Sequence, residues 1–133
     1  MKPVFVDSFY FFAILNPQDA AHDKAIEYSQ QHNGPLVTTT EVLTELADGL
    51  ARSSRRRAIR RVLDDLHSNP ENVVHSPNQQ LWDEALDLYD ARPDKQWSLT
   101  DCVSFTIMEQ MGITDALTGD HHFEQAGFRA LLK

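Results

Sequence analysis

The feature that most constrains this chain is a recurring order in which a short apolar or β-branched run is followed at once by a helical pattern. Val4-Phe5-Val6 ends at Asp7, and Ser8 opens the next segment. Asp19 to His32 reads as a helix that Asn33-Gly34-Pro35 stops. Leu36-Val37-Thr38-Thr39 predicts a strand, and the helical spacing of Val42, Leu43, Leu46, Ala47 and Leu50 predicts a helix over Thr40 to Ala51. Ser53 or Ser54 can cap a further helix with a buried stripe of Ile59, Val62, Leu63 and Leu66, ending near Asn69-Pro70. Val73-Val74 reads as a short strand, and Leu81, Trp82, Ala85, Leu86, Leu88 and Tyr89 make an amphipathic helix between Pro77 and Pro93. Ser98 begins a helix that stops at Gly112. Ala116-Leu117-Thr118 and Phe128 to Leu132 predict two last strands. Strands that alternate with helices imply an α/β sandwich, a mainly parallel sheet covered on both faces.

Length sets the scale of that sandwich. With 133 residues the chain is expected to form a single domain, residues 1–133, around one core. The longest wholly apolar stretch, Phe11 to Leu15, is far short of the ~20 residues of a membrane-spanning helix. The N-terminus has no apolar run before a small-residue cleavage site. Cys102 is the only cysteine, so neither an internal disulfide nor a cysteine-rich zinc site can form. The expectation is a cytoplasmic protein with no membrane partner.

A net charge of −8 argues at first against a polyanionic partner, but the charge is segregated. Six of the twelve basic residues, Arg52, Arg55, Arg56, Arg57, Arg60 and Arg61, lie in one stretch that contains no acid. On the expected helix Arg56, Arg57, Arg60 and Arg61 point away from the buried stripe, which makes them candidates for contact with a phosphate backbone or an acidic partner. Charge runs are also commonly plain solvated faces.

In an open parallel sheet, ligands bind beyond the carboxyl ends of the strands. Asp7 follows the first strand directly, and Asp120 follows Ala116 to Thr118 after one glycine. Glu45 is in the helix leaving the second strand, and Asp101 is in the first turn after Ser98. Taken singly, each has an ordinary reading: a cap for Asp7 and Asp101, a turn for Asp120, an exposed glutamate for Glu45. Their convergence on one rim carries the argument. Carboxylates brought together repel unless a cation compensates them. An all-oxygen donor set favours Mg²⁺ or Mn²⁺, which activates water and holds phosphate oxygens, the chemistry of phosphodiester hydrolysis.

Val4-Phe5-Val6-Asp7-Ser8, Thr39-Thr40-Glu41-Val42-Leu43-Thr44-Glu45, Ser98-Leu99-Thr100-Asp101-Cys102 and Leu117-Thr118-Gly119-Asp120-His121-His122-Phe123 resemble, in order, the blocks of PIN domains, a family that includes the VapC toxins. The resemblance extends to Glu124-Gln125-Ala126-Gly127-Phe128 near the C-terminus. It implies a PIN-like three-layer α/β/α sandwich and a ribonuclease whose Asp7, Glu45, Asp101 and Asp120 bind Mg²⁺ or Mn²⁺. It also implies an RNA substrate, an antitoxin partner and a homodimer. Ser8 and Thr39 fall at small hydroxylated supporting positions, and Asp115 is a further ligand candidate ranked below Asp120. His121 and His122 read as loop or supporting residues. Phe9 departs from the small residue expected after Asp-Ser. The rival reading is a PIN-fold protein-binding module with weak or no nuclease activity. A dehalogenase-like phosphatase would need an Asp at the position of Phe9, and no G-x-G-x-x-G pattern supports a nucleotide fold.

Overall fold

A computed structural model describes residues 2–133. The elements are β1 (Val4–Val6), α1 (Ser8–Leu15), α2 (His22–Gln31), β2 (Leu36–Thr39), α3 (Thr40–Leu50), α4 (Ala58–His67), β3 (Val73–His75), α5 (Gln79–Ala91), α6 (Leu99–Met111), β4 (Asp115–Leu117), α7 (His121–Gln125) and β5 (Arg129–Ala130). The strands form one sheet in the order β3-β2-β1-β4-β5, and every pairing is parallel. The chain moves outward from β1 to β3 and then crosses back to β4. With right-handed crossovers, that reversal places α1 to α4 on one face and α5 to α7 on the other, a three-layer α/β/α sandwich.

Strands covered on both faces must be apolar throughout, and Val4, Phe5 and Val6 are all buried. On one side Phe5 meets Phe123, whose ring stands edge-on to Phe105 at 4.9 Å between centroids. Trp97 packs edge-on against the same Phe105 at 5.1 Å. On the other side α1, written Ser-Phe-Tyr-Phe-Phe-Ala-Ile-Leu, is apolar nearly all round because it packs against both α2 and α3. Ser8 bonds to Glu45, and four residues further on the Phe12 ring occupies the space that a side chain at Gly49 would need. The two helices therefore leave the sheet's carboxyl edge side by side in matched register.

Caps fix where the helices begin. Thr39 accepts a bond from the Val42 amide at 3.1 Å, so the last residue of β2 is also the cap of α3. Ser98 and Asp101 form a reciprocal capping box at α6, which ends at Gly112 with φ of 67°. Four expectations shift. The helix carrying the arginines starts at Ala58, not at Ser53 or Ser54, and Arg57 caps it without a side-chain bond. The Ser53 hydroxyl instead serves a turn, accepting from the Arg55 amide. Arg56 and Arg57 thus precede the helix, and Arg57 at its N-cap faces the positive end of the dipole, an unfavourable place for a cation. The α2 helix begins at His22 because Asp19 folds back to accept from the Ala21 amide. The last strand shrinks to Arg129–Ala130: the consecutive amides of Leu131 and Leu132 both bond to the β4 side, which regular extended chain forbids. The short helix α7, capped by Asp120, was not expected.

Because Thr39 is fully buried, Thr39→Val keeps its shape and removes only the cap. Urea denaturation should register a loss of about 1–2 kcal/mol. An unchanged midpoint would remove the capping role.

Candidate active site

The sheet reverses direction between β1 and β4, and the candidate acids gather at the carboxyl ends of those two strands. Asp7 is the residue after β1 and stands at the N-cap position of α1, yet its side chain makes no capping bond. Its carboxylate, only 5% exposed, accepts a hydrogen bond from the Thr118 hydroxyl at 2.8 Å. The same Thr118 oxygen accepts from the Asp120 amide at 3.0 Å. One threonine at the end of β4 therefore ties the first acid of the chain to the last.

Glu45, half-buried on α3, accepts from the Ser8 hydroxyl, so the supporting place given to Ser8 corresponds to a direct contact. Thr39 makes none; it acts by capping the helix that carries Glu45. Asp101 is held by its capping box, with Oδ2 accepting from the Ser98 amide at 3.1 Å. The other side of that oxygen faces His122 Nδ1 at 3.2 Å, and His122 Nδ1 is 3.5 Å from Asp120 Oδ1. Asp120 in turn caps α7 through the His122 amide at 2.9 Å.

Asp115 requires a correction. It opens β4, at the amino end of the strand, and pairs with Arg129 at 3.4 Å. The cluster lies at the opposite edge of the sheet, so the strand's own length keeps Asp115 out of it. Phe9, the departure from the expected pattern, lays its ring against Gly119, the residue before Asp120. Thr118 is a positioning residue that the motif reading did not single out, and His122, read as a loop or supporting residue, contacts Asp101 directly. Both lie inside the last block, but nothing in a linear sequence marks which hydroxyl or imidazole will turn toward Asp7 or Asp101.

The electrostatics follow from crowding. Burial, with the charges of Asp101 and Glu45 adding, raises the Asp7 carboxyl from 3.8 to about 7, against the opposing bonds from Thr118 and the Ser8 backbone. Asp101 is also raised, first by burial and then by Asp120, while bonds from Ser98 and His122 act the other way. Among the described residues no Lys or Arg pairs with Asp7, Glu45, Asp101 or Asp120; their ion-pairing neighbours are His121 and His122. Asp120, His121 and His122 can bring one ligand atom each within 4.8 Å of one another. A rim of carboxylates without Lys or Arg, most of its donors oxygen, fits a hard divalent cation.

Known proteins resemble the chain over nearly its whole length. A family model for the PIN domain matches residues 4–129. The chain is 30% identical over 128 residues to the 23S rRNA-specific endonuclease VapC20 of Mycobacterium tuberculosis, an alignment that spans 94% of this chain and 95% of that protein. The crystal structure of VapC20, described as a sarcin–ricin loop cleaving toxin, superposes with a TM-score of 0.84 at 26% identity, over 94% of this chain and 95% of that one. FitAcB of Neisseria gonorrhoeae shares the fold, with a TM-score of 0.69 at 13% identity over 96% of this chain and 95% of its own. With its sheet order, its rim of acids and a family match from Val4 to Arg129, the chain belongs to the PIN-domain family.

Proposed function

We propose that this chain is a metal-dependent endoribonuclease, the toxin component of a toxin–antitoxin pair, with Asp7, Glu45, Asp101 and Asp120 as its catalytic carboxylates. The observation that carries the reading is the convergence of these acids at the switch point of a parallel sheet without a Lys or Arg partner. The similarity to VapC20, an endonuclease over nearly its whole length, supports the same reaction class. RNA is the substrate, an antitoxin is the regulatory partner, and a homodimer is the working form. Mg²⁺ or Mn²⁺ is the cofactor.

Asp7, Glu45, Asp101 and Asp120 would hold the ion, which supplies an activated water and neutralises phosphate charge. The remaining work falls to the chain. Thr118 fixes the Asp7 oxygen that faces β4, and Ser8 orients Glu45, so the two buried or half-buried carboxylates keep their positions without rearranging during the reaction. His122 can hold a proton at Nδ1 between Asp101 and Asp120, which limits their repulsion before substrate enters. Nearby Phe9, against Gly119, excludes water from one flank of the acids.

Wild-type protein should cut RNA internally when Mg²⁺ or Mn²⁺ is added and stop in chelator, while folded Asp7→Asn should lose at least about a hundredfold in rate. Equal cleavage by Asp7→Asn in chelator would refute the metal-nuclease reading, and no cleavage by wild type under any divalent ion would favour a pure binding module.

The metal-free protein should also carry the mark of crowded acids in its stability. Unfolded Asp7 ionises near 3.8 and folded Asp7 near about 7. Between those values the folded chain keeps a proton that the unfolded chain has lost, so stability falls as pH rises through that window and levels off above it. At roughly 1.4 kcal/mol per pH unit the effect is bounded at about 4 kcal/mol. Chelated wild type should therefore melt higher near about pH 5 than near about pH 8, and Asp7→Asn should flatten the difference; parallel slopes for the two proteins would show that Asp7 is not the group responsible.

A further inference from the structure

The paired helices α1 and α3 leave an open groove of about 470 Å³ between them. Phe9, Phe12, Leu15 and Leu50 give it an apolar lining, and Asp19 and Arg55 add one charge of each sign. Its upper end adjoins the acids, because Phe9 rests on Gly119 and Ser8 bonds to Glu45. Arg55, five residues beyond the end of α3 at Leu50, lines the same groove. Arg55 belongs to the stretch in which Arg52, Arg55, Arg56, Arg57, Arg60 and Arg61 are all exposed, and among the described residues none of the six pairs with an acid. The hollow on the other side of α3 has the opposite character, lined by Glu41, Glu45 and Asp48. A phosphate chain that crosses the acids is repelled on that flank and attracted on the arginine flank.

We propose that the α1–α3 groove receives the unpaired ribonucleotides beside the scissile phosphate, with a base against the Phe9 and Phe12 rings and the following phosphates on Arg55 and its neighbours. The proposal rests on the ribonuclease reading above and names the side on which its substrate lies. Aromatic faces beside cations are the usual platform for single-stranded nucleic acid, because every base has a face to stack while the backbone supplies charge. An arginine stretch free of acids within a protein of net charge −8 is the matching electrostatic footprint.

Binding can be measured without turnover, which separates this proposal from the nuclease reading. Folded Asp7→Asn protein in chelator is titrated with a fluorescein-labelled single-stranded RNA at several salt concentrations. Adding Arg55→Ala and Arg57→Ala together should flatten the log–log salt slope by about 1.4, or about 0.7 for each lost phosphate contact, whatever the RNA sequence. The paired Lys replacements should retain the slope. Phe12→Leu, verified as folded by circular dichroism, should weaken binding about fivefold or more, and 5-iodouridine in the RNA should crosslink to Phe9 or Phe12. An unchanged slope, or crosslinks confined to another surface, overturns the proposal. Loss of polyglutamate binding in the Arg55/Arg57 variant with RNA binding intact also overturns it, and assigns the arginines to an acidic protein partner. Wild-type cleavage, measured separately, bears only on the nuclease reading.

Discussion

The carboxyl group of Asp7 is buried at the end of a central strand with no Lys or Arg paired to it among the described residues, and the rest of the site is arranged around that fact. A lone buried carboxylate is unstable unless it gains hydrogen bonds, a proton or a cation. The chain provides bonds from the Thr118 hydroxyl and the Ser8 backbone, and then worsens the crowding by bringing Asp101 and Glu45 near. Such an arrangement has little value as packing. It becomes intelligible if a divalent ion replaces the proton, because the same desolvation that penalises a bare carboxylate strengthens its attraction for a metal.

The sheet topology is what allows four acids from distant parts of the sequence to meet. β1 and β4 are neighbours although more than a hundred residues separate them, and Thr118 spans that junction by holding Asp7 and the Asp120 amide together. α3 adds Glu45 from its second turn and α6 adds Asp101 from its first, each helix placed by a local cap at Thr39 or Ser98. The meeting of these acids is a consequence of strand order and helix capping.

Much of this was legible in the residues. Apolar runs ending at Asp7 and Thr39 had to be strands buried on both faces, and the acids beyond them had to share an edge once the sheet was parallel. Dual roles were harder to read: Asp101 is at once a helix cap and a member of the cluster, and linear spacing supports both equally. Asp115 misled because nearness to a motif in sequence says nothing about which end of a strand a residue occupies. The arginine stretch was mistaken for one helix since Ser53 and Ser54 look like caps, whereas Ser53 accepts from the Arg55 amide in a turn and the helix starts only at Ala58. Thr118 escaped notice, and the contact of His122 with Asp101 was not legible, because both depend on side-chain direction after folding.

The central claim is that one divalent ion takes over the charge that Asp7 cannot carry alone, and proton release on metal binding tests it most directly. Near about pH 6 folded Asp7 is mostly protonated, so binding Mn²⁺ must expel its proton. Calorimetric titration in two buffers of different ionisation enthalpy counts the protons released. Wild type should release about one more proton per Mn²⁺ than Asp7→Asn, which should also bind more weakly. Equal release and equal affinity in the two proteins would contradict the account, because the ion would then bind without Asp7.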